Sequence, residues 1–383
     1  MSRDERLEAT AAALAFPRRA GSDGSRRIVR QLADRLRDLG FEVAVESFSY
    51  DQRPVERALR WTLIAAAVLV ALAASLAAAR PWWSATLLAA GFGLGGALLG
   101  WAPWLETLYR RPGATRTANV IGRRAATAPR CRIVLVAHHD SKSQSLSLPA
   151  RMAATGCAVV GGLVTAGAVG AALVLGRLPV PSWVVWVAGA VGCASLIALA
   201  SMTSGNESPG GVDNAGSLAI VLALAEMADE LADDVELVVL FTGAEEDHMV
   251  GAMRWLDRHA DELRQPPTHC LNLDGAGAPG RTVLITRFGL GRRFAPHVER
   301  AAVAAARELG EPVRRIVMAP AVGIDAIPFA HRRIECLTVS SGSLGPATAS
   351  VHSANDVAEH LDGATMRRVL DLARAVIRRL AGS

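Results

Sequence analysis

Imidazole and carboxylate side chains stand at the ends of short apolar segments at several points in this 383-residue sequence. These residues are His138, Asp140, Asp213, Glu245, Glu246, Asp274 and His352. In open α/β sheets, functional groups collect at the carboxyl ends of the strands, so residues far apart in sequence can share one site. Imidazole nitrogens and carboxylate oxygens suit zinc, cobalt or manganese. The pattern therefore predicts a site for a divalent metal.

The local sequence around these residues favours the same chemistry. A His-x-Asp at the end of a segment lets His138 bind a metal while Asp140 supports the site from behind. Two glycines precede Asp213 and allow its carboxylate to turn into a site at a helix start. The adjacent carboxylates of Glu245 and Glu246 repel each other unless something positive shares them, or one accepts protons while the other binds metal. Each feature alone is common, and only their joint order indicates function.

Short apolar strands alternate with helices in the polar parts of the chain, which indicates a three-layer α/β domain with a largely parallel sheet. The predicted strands are 41–48, 132–137, 235–241, 269–273, 282–286, 313–317 and 334–339. The predicted helices, after an amphipathic one at the N-terminus, are 25–39, 215–231, 251–264, 292–309 and 357–381. Such an arrangement brings the carboxyl ends of several strands to one edge of the sheet.

Four long uncharged apolar segments interrupt this domain. They are residues 61–79, 85–105, 152–176 and 182–202. Each is close to the ~20 residues that a helix needs to cross a bilayer, and four such segments exceed what the core of a globular protein uses. Short connections join them in pairs, so we predict four transmembrane helices in two hairpins. The predicted hairpins are 61–105 and 152–202, and the catalytic domain comprises 1–60, 106–151 and 203–383.

The arginines that flank the apolar segments predict their orientation. Three arginines lie just before the first segment, two lie just after the second and one lies just before the third, whereas each connection within a hairpin carries one. The positive-inside rule places the arginine-rich side in the cytoplasm. We therefore predict an integral membrane protein with four spans, both termini and the catalytic domain in the cytoplasm, and no signal peptide at the N-terminus. The arginines are Arg53, Arg57, Arg60, Arg110, Arg111 and Arg151 on one side and Arg80 and Arg177 on the other.

Composition narrows the possible partners. The formal net charge is +5, but no Lys/Arg-rich stripe interleaved with aromatic residues is present, so we predict a lipid bilayer and no nucleic acid as a partner. The five cysteines are scattered without a C-x-x-C pair, which indicates neither a disulfide framework nor a zinc knuckle.

Taken together, the sequence outside the hairpins resembles the co-catalytic di-zinc aminopeptidases of metallopeptidase family 28. The motifs that carry the resemblance are GSDGSRRIVRQLADRLRDLGFEVAVESF, ANVIGR, AHHDS, GGVDNAGS, FTGAEED, NLDGAG, IDAIPF and VHSANDV. The resemblance implies a zinc-aminopeptidase-like α/β/α domain with a mixed, largely parallel sheet. It also implies a peptide substrate and two divalent ions, with zinc as the expected metal.

The resemblance assigns a role to each candidate ligand. Asp213 corresponds to the carboxylate that bridges the two metals. His138 and Asp274 would complete one metal position, and Glu246 and His352 would complete the other.

Two further residues take catalytic roles by the same resemblance. Glu245 would be the general base that acts on water, and Asp140 would support the His138 ligand. The chain departs from the family where Asp247 and His248 replace a small glycine-containing turn, which we interpret as an altered loop. Asp325 falls in a segment that lines the pocket in the family.

Other functions stay open at this point. The same scaffold supports carboxypeptidases, amidases and glutaminyl cyclases, and a catalytically silent membrane receptor or assembly subunit is a further alternative. Two-metal hydrolysis is favoured over a one-zinc cyclase because all five ligands are present. A transporter is disfavoured because the four apolar segments hold no ionisable residues that transport would use.

Overall fold

The computed structural model describes residues 2–99, 109–288, 291, 293–318, 323–343 and 345–382. The chain divides into two compact units. The first, here named the sheet unit, comprises Met1–Tyr50, Arg110–Ser143 and Ser204–Ser383. The second, named the helical unit, comprises Asp51–Tyr109 and Gln144–Thr203.

The sheet unit is built on a mixed sheet that has eight strands in the described residues. They are β1 Glu42–Tyr50, β2 Thr115–Arg124, β3 Cys131–His138, β4 Val235–Thr242, β5 Thr268–Leu273, β6 Arg281–Phe288, β7 Arg314–Met318 and β8 Cys336–Gly342. Their order is β1-β2-β4-β3-β5-β8-β6-β7. The four central strands β4, β3, β5 and β8 run parallel, while β1–β2, β2–β4 and β8–β6 pair antiparallel. The predicted mixed, largely parallel sheet is confirmed.

Burial on both faces explains the composition of the central strands. Every residue of β3 and β4 is buried, and both are nearly continuous runs of Val, Leu and Ile, as expected when helices cover both faces of a parallel sheet. The helices along the chain are α1 Arg3–Leu14, α2 Asp23–Asp38, α3 Arg53–Leu76, α4 Pro81–Leu99, α5 Leu148–Leu175, α6 Ser182–Ala200, α7 Gly216–Ala225, α8 Val250–His259, α9 Pro296–Glu308, α10 Ala326–His331, α11 Pro346–Ala349 and α12 Gly363–Ala381. Two-residue strands occur at Ser143–Gln144 and Ser204–Gly205.

Several helices begin or end away from the predicted residues. The predicted helix 357–381 begins at Gly363, because the Asp362 side chain accepts a hydrogen bond from the Thr365 backbone N–H and caps the helix there. The predicted helix 215–231 ends at Ala225 and is followed by a 3₁₀ turn. The first residue of the predicted helix 292–309 lies outside the described residues.

The helical unit contains α3, α4, α5 and α6. Within the described residues, three helices are long and apolar enough to cross a membrane, namely α3, α5 and α6. The second predicted span, 85–105, overlaps α4 but continues into residues 100–105, which lie outside the described part of the chain. Three of the four predicted spans therefore have the length and composition to cross a membrane, and the membrane location of all four stays a prediction.

Small residues allow the helices of this unit to approach closely. A Cβ at Gly161 would lie 2.5 Å from the Ala188 carbonyl oxygen, and a Cβ at Gly189 would lie 2.4 Å from the Ala74 Cβ. Small residues at contacts of this kind are typical of helices that pack within a bilayer. The glycines therefore define where α6 contacts α5 and α3.

Candidate metal centre

The parallel strands bring three parts of the centre to one edge of the sheet. His138 is the last residue of β3 and is aligned with Thr242, the last residue of β4. Glu245 and Glu246 follow Thr242 in the next turn, and Asp274 follows directly after β5. Because β3 lies between β4 and β5, these side chains share one neighbourhood.

Five predicted ligands form two overlapping groups. Ligand atoms lie within 4.8 Å of one another in the group His138, Asp213 and Asp274, and likewise in the group Asp213, Glu246 and His352. Asp213 belongs to both. Its Oδ1 lies 3.0 Å from His138 Nε2, and its Oδ2 lies 3.1 Å from His352 Nε2. The two oxygens of one carboxylate therefore face two different imidazoles.

We name His138 and Asp274 the strand-end half of the centre, and Glu246 and His352 the loop half. His138 Nε2 lies 3.7 Å from Asp274 Oδ1, and His352 Nε2 lies 2.9 Å from Glu246 Oε2. Ligand atoms bonded to a tetrahedral zinc at about 2.0–2.1 Å lie about 3.3 Å apart. The Glu246 Oε1 atom is buried and has no hydrogen-bond partner among the residues that the structure describes. Both halves therefore fit a divalent cation in spacing and donor type.

Asp140 organises the turn that carries the two glutamates. Its Oδ1 accepts a hydrogen bond from the Glu245 N–H at 3.0 Å, and its Oδ2 accepts one from the Glu246 N–H at 3.1 Å. His138 Nδ1 lies 3.1 Å from the Asp140 backbone carbonyl oxygen and 3.8 Å from the carboxylate. Asp140 therefore supports the centre from both sides, with its backbone toward the histidine and its carboxylate toward the glutamates.

The segment that carries Asp213 is held by backbone contacts. Asp356 accepts hydrogen bonds from the N–H groups of Val212 at 2.7 Å and Asp213 at 3.3 Å. A Cβ at Gly211 would lie 2.3 Å from the Val357 carbonyl carbon, so only glycine fits there. The Asp213–Asn214 peptide bond is cis. The glycine pair and Asp356 thus aim the shared carboxylate.

Charge in the centre favours a cation. Burial opposes protonation of His138, but Glu245 and Asp213 outweigh it and raise the pKa of this imidazole well above its ordinary value. Burial also opposes protonation of His352, while Glu246 and Asp213 raise its pKa to about 9. Asp213 is buried as well, yet the two histidines hold its pKa well below the ordinary value. Without metal, the imidazoles therefore carry protons that a divalent ion would replace.

Glu245 faces the centre but belongs to neither ligand group. Its Oε2 lies 4.0 Å from His138 Nε2. Burial, with a contribution from the charges of Asp274 and Asp325, raises the pKa of Glu245 well above its ordinary value. A carboxylate with a raised pKa is suited to take up and release a proton near neutral pH.

The turn at Asp247 and His248 is held against the sheet by a hydrogen bond. The Tyr50 hydroxyl, at the end of β1, donates a hydrogen bond of 2.5 Å to the buried Asp247 carboxylate. His248 and Met249 follow with φ angles of 71° and 59°. Asp325, just before α10, accepts a hydrogen bond from the Thr242 hydroxyl, and burial raises its pKa to about 7.

Two residues of the centre were missed by reasoning from the sequence. The buried Arg18 guanidinium donates hydrogen bonds to the carbonyl oxygens of His139 at 2.7 Å and Gly210 at 2.8 Å, and burial lowers its pKa to about 10. The Lys142 ammonium lies 3.4 Å from Glu246 Oε2. A pattern of residue types does not show contacts with backbone carbonyls, so Arg18 left no signal. Lys142 left one, because it is the only lysine in the chain.

A comparison with models of protein families identifies the family of this chain. Residues 189–377 match the model of peptidase family M28. The chain belongs to peptidase family M28. The predicted family assignment is thereby confirmed, and it places the chain among the metal-dependent peptidases. The matched segment contains four of the five candidate ligands, and His138 precedes it. No curated protein matches the sequence.

Solved structures share the fold at low sequence identity. The zinc aminopeptidase BSAP from Bacillus subtilis has a TM-score of 0.58 at 14% identity, over 98% of this chain and 94% of that chain. An aminopeptidase from Aneurinibacillus sp. strain AM-1 has a TM-score of 0.57 at 14% identity, over 98% and 93%. A glutaminyl cyclase from Fimbriiglobus ruber has a TM-score of 0.58 at 14% identity, over 98% and 95%. At these identities the likeness shows the fold alone.

Proposed function

We propose that this M28 protein is a membrane-embedded zinc aminopeptidase that hydrolyses peptide bonds with two metal ions. The observation that carries the proposal is the position of Asp213. Its two carboxylate oxygens face one imidazole each, at 3.0 and 3.1 Å, as a carboxylate shared by two ions requires.

In this proposal Asp213 contributes one oxygen to each position. His138 and Asp274 would hold the ion of the strand-end half, and Glu246 and His352 would hold the ion of the loop half. When bound, two divalent ions polarise the scissile carbonyl group and lower the pKa of the attacking water.

Glu245 is the general base in this reaction. Its carboxylate accepts the proton of the attacking water and returns it to the nitrogen of the leaving amine. Asp140 keeps Glu245 and Glu246 in place through the backbone N–H groups of both residues. Removing the base therefore removes proton transfer without removing a ligand.

A glutaminyl cyclase is the second candidate, because a protein with that activity shares the fold. Two overlapping ligand groups support two-ion hydrolysis over a one-zinc cyclisation. A catalytically silent receptor is disfavoured, since none of the five ligands has been replaced. A peptide that begins with glutamine separates the two enzyme activities, because hydrolysis releases free glutamine and cyclisation leaves a pyroglutamyl peptide.

We also propose that all four apolar helices span the membrane and that the sheet unit lies in the cytoplasm. The exposed tryptophans near the ends of the predicted spans, among them Trp82, Trp83, Trp183 and Trp186, suit the interfacial belt. Cysteines introduced at positions 80 and 177 should react with an impermeant thiol reagent from outside intact cells, whereas one at position 230 should react only after permeabilisation. The reverse labelling would overturn the orientation.

The proposed activity is tested with the full chain purified in detergent. Metal per chain is counted, and peptides with free or acetylated N-termini are offered with and without a chelator. We expect bound zinc, release of the N-terminal residue from free peptides only, and loss of activity with chelator that zinc restores. Cleavage of the acetylated peptides at the same rate would contradict an aminopeptidase.

A further inference from the structure

The basic residues of the chain are distributed in an unusual way. Of the 41 lysines and arginines, Lys142 is the only lysine. It lies four residues after His138, the last residue of β3. Only 12% of its side chain is exposed. Its ammonium donates a hydrogen bond to the Glu246 backbone carbonyl and lies 3.4 Å from Glu246 Oε2. The single lysine is thus placed against one residue of the candidate metal centre.

The oxygen that Lys142 approaches is the one that faces the centre. Glu246 Oε2 lies 2.9 Å from His352 Nε2, so the lysine and a metal in the loop half would share this atom. In the strand-end half, Asp274 forms no ion pair with a lysine or arginine in the described part of the chain; its partner there is His138. The two halves therefore differ in their exposure to a fixed positive charge.

The physical effect of such a charge on metal binding has a definite sign. An ammonium group is a compact point charge, whereas a guanidinium spreads its charge over a plane. A lysine ammonium beside a ligand oxygen would repel a divalent ion held by that oxygen, and it would compete with the ion for the negative charge of the carboxylate. Both effects would weaken binding in the loop half. They would weaken binding in the strand-end half less, because Lys142 lies against Glu246 and forms no ion pair with Asp274 in the described residues.

We propose that Lys142 makes the two metal positions unequal, so that the strand-end half fills first and the loop half fills only at higher free zinc. This inference rests on the proposed two-metal site and adds regulation to it. At low zinc the protein carries one ion and lacks the second. Activity would then follow the local supply of zinc.

The test compares the full-length protein with Lys142→Met, which removes the charge, and with Lys142→Arg, which keeps it. Zinc per chain is measured by mass spectrometry after dialysis against metal buffers that set the free concentration. For the parent we expect two binding steps separated by at least about tenfold. Lys142→Met should strengthen the second step by about tenfold or more and change the first step by clearly less, while Lys142→Arg should keep the second step weak.

The His352→Ala variant distinguishes an electrostatic role of Lys142 from a purely structural one. In His352→Ala the second step should be absent, and adding Lys142→Met should change the first step by much less than it changes the second step of the parent. An equal shift of both steps by Lys142→Met, or a shift of neither, would overturn the inference. If both the parent and Lys142→Met bound fewer than two ions per chain at saturating zinc, the proposed two-metal site itself would be contradicted.

A spectroscopic signal provides an independent reading. Protein labelled with ¹⁵N-lysine has one side-chain ammonium resonance, since the chain has one lysine. During a zinc titration this resonance should stay in place through the first step and move in the second. Movement in the first step would contradict the assignment of Lys142 to the loop half.

Discussion

The two halves of the proposed metal centre contain similar residues, but different parts of the fold position them. In the strand-end half, His138 ends β3 and Asp274 follows the neighbouring strand β5, so the backbone ladder of the sheet places both. In the loop half, Glu246 lies in a turn and His352 lies in a loop with a φ of 63°. The His138 side chain is 1% exposed and the His352 side chain 17%. The strand-end half is therefore built into the core, and the loop half depends on individual hydrogen bonds.

This difference predicts which substitutions should weaken metal binding in each half. A change in the hydrogen bonds to the turn should affect the loop half first, because no strand pairing holds Glu246. Asp213 stands between the halves and should affect both.

The largest effect is expected for Asp213→Ala, which removes the ligand common to both halves. Zinc content should fall sharply at both positions, and kcat/KM should fall by more than about 10⁴-fold, since general-base catalysis alone accounts for about 10²–10⁴-fold. Zinc counting and peptide assays measure the two effects. Asp229→Ala is the control, because this carboxylate is 94% exposed. Retention of one tightly bound ion with substantial activity would argue against a shared ligand.

Glu245→Gln should separate chemistry from metal binding. Because Glu245 belongs to neither ligand group, both halves should keep their zinc while kcat falls by about 10²–10⁴-fold. The measurement is kcat together with zinc per chain in the same preparation. If the variant kept full activity, the base would have to be another residue.

Asp140→Asn should distinguish the halves directly. The amide keeps one acceptor oxygen and loses the other, so one of the hydrogen bonds to Glu245 and Glu246 is lost. Partners of this kind change metal affinity or activity by about 10–100-fold. We expect the loop half of the variant to lose zinc at a chelator concentration about 10–100-fold lower than in the parent, with a smaller change in the strand-end half. Equal loss from both halves would mean that the turn positions them equally.

The smallest effect is expected for Asp325→Asn, which tests how this buried carboxyl group contributes to the stability of the fold. Burial raises the pKa of Asp325 from 3.8 to about 7, so the folded chain favours the protonated acid. The stability from this group is complete below pH 3.8 and is lost as the pH rises through about 7. In metal-free protein, the variant should therefore gain about 1–3 kcal/mol in the free energy of unfolding at pH 8.

Denaturant unfolding followed by tryptophan fluorescence measures this gain across the pH range. The gain should grow between pH 4 and pH 7 and then level off. Asp229→Asn, at an exposed carboxylate, is the control. A gain that is the same at every pH would show that Asp325 is not titrating in the folded chain.

Much of the centre could be predicted from the sequence, for a physical reason. His138 and Asp274 end apolar strands, and Asp213 follows two glycines, so residue type and position together indicated each of them. The central strands were predictable because burial on both faces selects continuous apolar runs. The ends of the helices were less predictable. The start of α12, for example, depends on one capping hydrogen bond that the Asp362 side chain accepts.

The supporting contacts could not be predicted in the same way. Arg18 bonds to backbone carbonyl groups, and Asp356 bonds to backbone N–H groups, so no pairing of residue types pointed to them. Lys142 is different, because its solitary occurrence was visible in the composition.

The most direct test of the shared-carboxylate centre is an anomalous difference map at the zinc absorption edge. It requires crystals of the full chain grown at saturating zinc. We predict two peaks about 3.5–4 Å apart, as in two-metal sites generally. One should lie against His138 and Asp274, the other against Glu246 and His352, with Asp213 touching both. A single peak, or two peaks that do not share Asp213, would contradict the account.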